Sequence, residues 1–212
     1  MKLYIGNKNY SSWSFRPWVG MKVVGVEFEE VLVPFDDDNN NAHFAEFSPT
    51  SQVPVLVDDG QTIWQSLAIL DHVARKHPGA GLWPERSDFR SDAMAVSCEM
   101  LASFFALRAA CPMNMRRQRA AISLSDAVLS DVARVERIWQ TAINQSGGPF
   151  LYGDFSIADA MYAPVVNRLD VYDHNVSSDT RAYMSTIQSL DAWKAWEAAG
   201  KAEVWVVEAD EV

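Results

Sequence analysis

Cysteine is scarce in this chain: Cys98 and Cys111 are the only two in 212 residues. They form no CxxC pair and fit no metal-ligand spacing, and two scattered thiols make no disulfide framework. That usage fits a reducing compartment, so a cytoplasmic protein is expected. The four histidines, His43, His72, His77 and His174, are equally scattered, and no metal site is expected from them. Basic charge is also short. Eighteen Lys and Arg face 28 Asp and Glu, for a formal net charge of −10. An excess of that sign opposes non-specific binding to nucleic acid or to an anionic membrane. The nearest basic run, Arg116-Arg117-Gln118-Arg119, reads as a solvated face at a helix end or in a loop. No apolar run reaches 18 residues and no apolar leader follows Met1, so neither a membrane span nor export is expected. There is no internal repeat.

Apolar residues make up 49% of the chain, enough to bury a substantial core. Lys2–Ile5 reads as a strand ending in the turn-rich Gly6-Asn7-Lys8-Asn9. Ser11 to Ser14 precede a helix from about Phe15 to Val24, with Pro17 suited to its first turn. Phe28 to Val33 alternates as a strand, and His43 to Phe47 is a short helical turn stopped by Ser48-Pro49. Val53 to Val57 and Gln61 to Ile63 flank the tight turn Asp58-Asp59-Gly60. Gln65 to Lys76 is a helix with Leu67, Leu70, Val73 and Ala74 on one side. Residues 1–80 therefore read as an α/β domain.

The strand pattern then vanishes. After a linker at Pro84–Asp88, residues 87–212 read as an all-helical domain. Phe89 to Ala110 is expected as one long helix and Leu124 to Asn144 as a second. Ser156-Ile157-Ala158-Asp159 is a capping box opening a third. Shorter helices are expected near Thr180–Gln188 and Ala192–Ala199. The acidic tail from Glu203 carries the apolar patch Val204 to Val207.

Three segments carry chemistry. A proline leading into a strand of a small sheet, as in Val53-Pro54, is often cis, because X–Pro bonds cost little in the cis form. Such a bond turns the N–H and C=O of Val53 outward, where an extended peptide can add as a strand. Gln65-Ser66 opens a helix whose free N–H groups and dipole suit a carboxylate, with the Ser66 hydroxyl as a further donor. The serines at the first helix converge N–H and O–H donors on one spot, which stabilises an anion such as a thiolate. Singly, each segment is an ordinary folding signal. In this order, with helices behind them, they form a specific joint pattern.

The combination resembles the glutathione transferases across essentially the whole chain. The resemblance implies a thioredoxin-like N-terminal domain, strand-helix-strand-helix-strand-strand-helix, followed by an all-helical C-terminal domain. Val53-Pro54 is similar to that family's cis-proline motif, and Gln65-Ser66 to its grip on the γ-glutamyl carboxylate. Ser11-Ser12-Trp13-Ser14-Phe15-Arg16 is similar to the zeta-class Ser-Ser-Cys-Ser-Trp-Arg. On that match Ser11 is first choice for the hydroxyl that activates glutathione, with Ser12 and Ser14 behind it. Glutathione contacts are implied at Ser11, Trp13, Val53, Pro54, Gln65 and Ser66. A pocket for a small hydrophobic electrophile is implied at Trp13, Phe104 and Arg108. The loop near Asn39 to His43 falls where the family binds the glycyl carboxylate. Glutathione is then a cosubstrate, no metal is needed, and a homodimer acting in detoxification is implied. Trp13 stands where the zeta signature has cysteine, which weighs against maleylacetoacetate-type isomerisation and against cysteine-based chemistry. A non-catalytic scaffold on the same fold is the other reading, and the complete motif set opposes it.

Overall fold

The computed structural model describes residues 1–36 and 41–212. Four short strands, β1 (Lys2–Ile5), β2 (Glu29–Leu32), β3 (Val55–Asp58) and β4 (Gln61–Trp64), form one sheet in the order β2-β1-β3-β4. β1 pairs parallel with β2, Leu3 opposite Glu30, and antiparallel with β3, Leu3 opposite Leu56. The parallel pair needs a crossover, and α1 (Ser12–Val23) supplies it. A 3₁₀ turn at Ala42–Glu46 joins β2 to β3, where a helical turn is expected. α2 (Ser66–Lys76) follows β4, and its last turn is tied back by Asp58, which accepts from Lys76 Nζ and bonds His72 Nε2 at 2.9 Å.

The helical half comprises α3 (Ser87–Ala102), α4 (Phe105–Ala110), α5 (Asp126–Ser146), α6 (Ile157–Val171), α7 (Ser178–Ser189) and α8 (Asp191–Ala202). α6 is the axis of the molecule: every residue but Asp170 is buried. Its capping box is formed, with the Ser156 N–H and hydroxyl both donating to Asp159 at 2.9 Å. Leu151 N–H and Tyr183 O–H also donate to that carboxylate, each at 3.0 Å. One acid therefore ties three segments together. Phe15 and Trp18 on α1 pack on Trp196 of α8 with ring centroids 4.9 and 5.1 Å apart, joining the two ends of the chain. Gly20 lets α1, α2 and α6 meet, since a Cβ there would lie 2.5 Å from Leu70 and 3.4 Å from Ala160.

Three expectations need correction. The long helix is two: Ser103 is extended and Phe104 is left-handed at φ 61°. No glycine or proline marks the break. It is held tertiarily, with Asp131 of α5 accepting the free N–H of Leu107 at 3.0 Å. α1 begins three residues early, which places Pro17 inside it and not in its first turn. Arg116 is not a solvated basic face. It is half-buried, and its guanidinium donates to the carbonyls of Glu203 and Trp205 at 2.6 and 2.9 Å and to Tyr10 Oη. Among the described residues no helix is long and apolar enough to cross a membrane.

Candidate functional site

The site begins with a defect in α1. Pro17 has no N–H, so the carbonyl of Trp13 lacks its helical partner. The Ser66 hydroxyl fills that place, donating to Trp13 O at 2.7 Å. This bond sets the N-terminus of α2 against the N-terminus of α1. The Ser66 hydroxyl is thereby committed, which leaves the backbone N–H groups of α2 to face a ligand. Gln65, the cap of α2, sits at φ 70° and makes no side-chain capping bond. An amide residue in the left-handed region is strained, and strain of this kind collects at binding sites. Across from it, the Val53-Pro54 bond is cis as expected, and the backbone of Val53 makes no hydrogen bond among the described residues.

These parts wall a cavity of about 540 Å3, within the range of small-ligand sites. Of the expected residues, Ser11, Ser12, Trp13, Val53, Pro54, Gln65, Ser66 and Arg108 line it. Two do not. Ser14 is fully buried, and its Oγ accepts from Ser11 Oγ at 2.8 Å and from Gly6 N–H at 3.1 Å, so it braces the turn before α1. Phe104 directs its ring to Tyr162, centroids 6.4 Å apart, and belongs to the core. Arg108 keeps its place while Phe104 leaves it because the break before α4 removes their shared helical face. His43 is used within its own loop, contacting Asp36 and the Pro34 carbonyl at 3.1 Å each. Asn39 lies outside the described residues.

The two pocket serines differ. Ser11 caps α1, accepting from Ser14 N–H at 3.4 Å, and its hydroxyl proton is given to Ser14. Ser12 Oγ accepts from Arg168 Nη2 at 3.3 Å and keeps its own proton free. The N–H of Trp13 is also without a partner among the described residues. An anion at this point meets one hydroxyl backed by a guanidinium and one helix N–H, in the first turn where the dipole is positive.

Met113, which follows Pro112 in the sequence at a place that could edge the cleft, lines the cavity. Tyr10, Arg168, Val207, Ala209 and Asp210 also reach it and were not expected there. Arg168 alone had a legible trace: a cation in an otherwise apolar helix is rarely buried without a purpose. The tail residues arrive by a fold-back. The Glu203 carboxylate accepts from the N–H groups of Lys8 and Asn9 at 2.7 and 3.0 Å, and burial pushes its pKa up. Tyr10 Oη donates to Glu211, Arg117 to the Val212 carbonyl, and Asn114 Nδ2 to the Asp210 carbonyl at 3.4 Å.

The fold and the cavity define a thioredoxin-like domain that presents an open strand edge and two helix N-termini to one cavity, backed by a helical domain. Two family models match the chain, "Glutathione S-transferase, N-terminal domain" over residues 10–76 and "Glutathione S-transferase, C-terminal domain" over residues 115–199. The chain belongs to the glutathione S-transferase superfamily. It is 28% identical over 177 residues to a maleylacetoacetate isomerase of Rattus norvegicus, covering 79% of this chain and 78% of that protein. It is 24% identical over 168 residues to a probable maleylacetoacetate isomerase of Caenorhabditis elegans, with the same coverage. A glutathione transferase homolog from Burkholderia, solved with bound glutathione, superposes with a TM-score of 0.74 at 21% identity, over 95% of this chain and 98% of that one.

Proposed function

We propose that the protein is a glutathione transferase of the serine type, in which Ser12 stabilises the thiolate. The observation that carries this reading is the convergence of three unsatisfied groups on one cavity. They are the Val53 edge, the α2 N-terminus behind Gln65, and the Ser12 hydroxyl with its proton uncommitted. The Val53 N–H and C=O pair with the extended tripeptide as an added strand. The N–H groups at Ser66 hold the γ-glutamyl carboxylate. Ser12 O–H and Trp13 N–H donate to the sulfur. Arg168, donating to Ser12 Oγ, strengthens that hydroxyl as a donor and adds positive potential. Bound glutathione supplies the nucleophile; the chain supplies orientation and a place for negative charge. Ser11 holds the turn through Ser14, so it positions Ser12.

Glutathione titrated calorimetrically at neutral pH, with thiolate absorbance read on the complex, tests the site. Binding with thiolate present is expected. Ser12→Ala should leave the affinity within a few-fold, raise the thiol pKa toward its free value of about 8.5, and lower kcat by roughly 10²-fold. Loss confined to Ser11→Ala would transfer the role to Ser11. No binding at millimolar glutathione would leave the scaffold reading.

Isomerisation of a small unsaturated acid is the second reading, favoured by the two isomerase relatives. It uses the same thiolate without consuming glutathione, so product analysis separates the two. A homodimer and a detoxification role rest on the family resemblance, and sedimentation of the purified chain checks the first.

A further inference from the structure

We infer that Asp210, carried to the cavity by the folded-back tail, is a further residue of the glutathione site: its carboxylate is the counter-charge of Arg168 until a thiolate forms, and the two anions then compete for that one guanidinium. Asp210 thereby sets how readily the thiol ionises, and thiolate formation loosens the tail. The inference rests on the glutathione reading.

The acids of the tail are Glu203, Glu208, Asp210 and Glu211. The Glu203 carboxylate accepts from the N–H groups of Lys8 and Asn9, and Glu211 accepts from Tyr10 Oη. Glu208 is exposed and does not line the cavity. Asp210 differs from all three. It is half-buried and is the only acid on the cavity wall among the described residues. Its backbone is pinned on both sides, the N–H donating to Val207 O at 2.9 Å and the carbonyl accepting from Asn114 Nδ2 at 3.4 Å. Its carboxylate makes no hydrogen bond and no ion pair among the described residues. Glu203 and Glu211 thus tie the tail down, and Asp210 is what they hold at the cavity.

Arg168 is the complementary half. It is buried in α6, its guanidinium donates to the carbonyls of Arg108 and Cys111 and to Ser12 Oγ, and its Nε has no acceptor. It forms no ion pair among the described residues, and a buried cation without a partner is costly. Burial first, and Arg108 next, lower the basicity of Arg168, while burial raises the pKa of Asp210; the charges of the two residues act on each other in the opposite direction. Glu211 beside it in the tail and Tyr172 at the end of α6 are the other titratable groups that face Asp210, and burial pushes the Tyr172 hydroxyl up to about 12, so it stays neutral. With glutathione in place, the thiolate lies on Ser12 O–H and Trp13 N–H, with Arg168 behind Ser12. Two like charges then face one cation across a partly dry cavity, and each raises the cost of the other. Linkage makes the effect reciprocal. Asp210 holds the thiol pKa above the value that Ser12 and Arg168 alone would give, and the thiolate weakens the docking of Asp210 by the same factor. The tail therefore loosens when the nucleophile is ready.

Thiolate absorbance of the glutathione complex, followed against pH, reads the first half. Asp210→Asn should lower the pKa of the bound thiol by about 0.5 to 1 pH unit, the scale of one like charge screened by partial exposure, and Asp210→Glu should keep it near the wild-type value. Glu208→Gln removes the same charge from an exposed position two residues away and should leave the pKa unchanged. Above that pKa, calorimetric titration should show glutathione binding Asp210→Asn about three- to tenfold more tightly than the wild-type protein, with S-methylglutathione, which forms no thiolate, binding both equally. Native-state hydrogen exchange reads the second half. With saturating glutathione, the amides of Asp210 and Glu211 should exchange about three- to tenfold faster than with saturating S-methylglutathione. An unchanged or raised thiol pKa in Asp210→Asn, an equal shift in Glu208→Gln, or equal tail exchange with the two ligands would overturn the inference. Failure of glutathione to bind the wild-type protein removes the glutathione reading, whereas glutathione bound as thiolate with the same pKa in wild type and Asp210→Asn removes the role of Asp210 alone.

Discussion

Arg116→Leu should release the folded-back tail while leaving the rest of the molecule intact. The guanidinium of Arg116 donates to the carbonyls of Glu203 and Trp205 at 2.6 and 2.9 Å and to Tyr10 Oη, with Glu211 3.5 Å away. Leucine keeps most of the stem volume and removes every donor. Hydrogen bonds to a charged donor contribute about 1.5–3 kcal/mol each. Arg116 is only half-buried, so water replaces part of each bond, and the low end for the two short ones gives about 3 kcal/mol. The tail keeps other tethers: Glu203 on Lys8 and Asn9, Arg117 on Val212, and Asn114 on Asp210. The loss should therefore appear as local opening and not as global unfolding. About 3 kcal/mol is roughly a hundredfold in the opening equilibrium. Native-state hydrogen exchange reads it at the amides of Asp210 and Glu211, which bond Val207 and Glu208 carbonyls. Those amides should exchange roughly a hundredfold faster in the variant, while amides within α5 and α6 keep their rates. Exchange within about threefold of wild type at the tail would refute the account of Arg116 as the clamp. A parallel rise throughout α6 would show that the tail supports the whole fold.

Gly20→Ala should destabilise by up to about 2 kcal/mol, because overpacking against the fully buried Leu70 costs about 1–3 and the helix gains back about 1 from alanine; urea midpoints measure it, and a more stable variant would show that Leu70 yields freely. Asp159 is wholly buried, and burial pushes its pKa up to about 6 despite four donors. A carboxyl whose folded pKa is raised stabilises in full below its unfolded value and loses that contribution as pH rises through about 6. The wild-type protein should thus lose about 2 kcal/mol from this group between pH 4 and 7. Asp159→Asn should lack that component of the slope, though less stable throughout because its amide faces a donor; identical slopes in urea titrations at the two pH values would count against the shift.

The alternation of Leu3 and Ile5, the apolar face of α2 and the capping box before α6 are local patterns, and each predicted its element within a few residues. The same holds for Val53-Pro54 and Gln65-Ser66, where a short stretch fixes backbone geometry by itself. The break at Phe104 was not legible because no local residue demands it; Asp131, on another helix, holds it. Ser11, Ser12 and Ser14 look equivalent along the chain. They are separated only by what stands behind each: Ser14 and Gly6 under the turn, Arg168 beside Ser12.

The sequence by itself thus determined the order of the elements and the segments that line the cavity, since hydrophobic period, capping residues and proline act over a few residues. Only the tertiary structure decided which serine keeps a free proton, that Arg168 stands beside it at the cavity, and that the tail reaches the cavity wall. Those facts depend on residues about 90 to 195 positions apart, whose encounter is a property of packing and leaves no periodic trace in the chain.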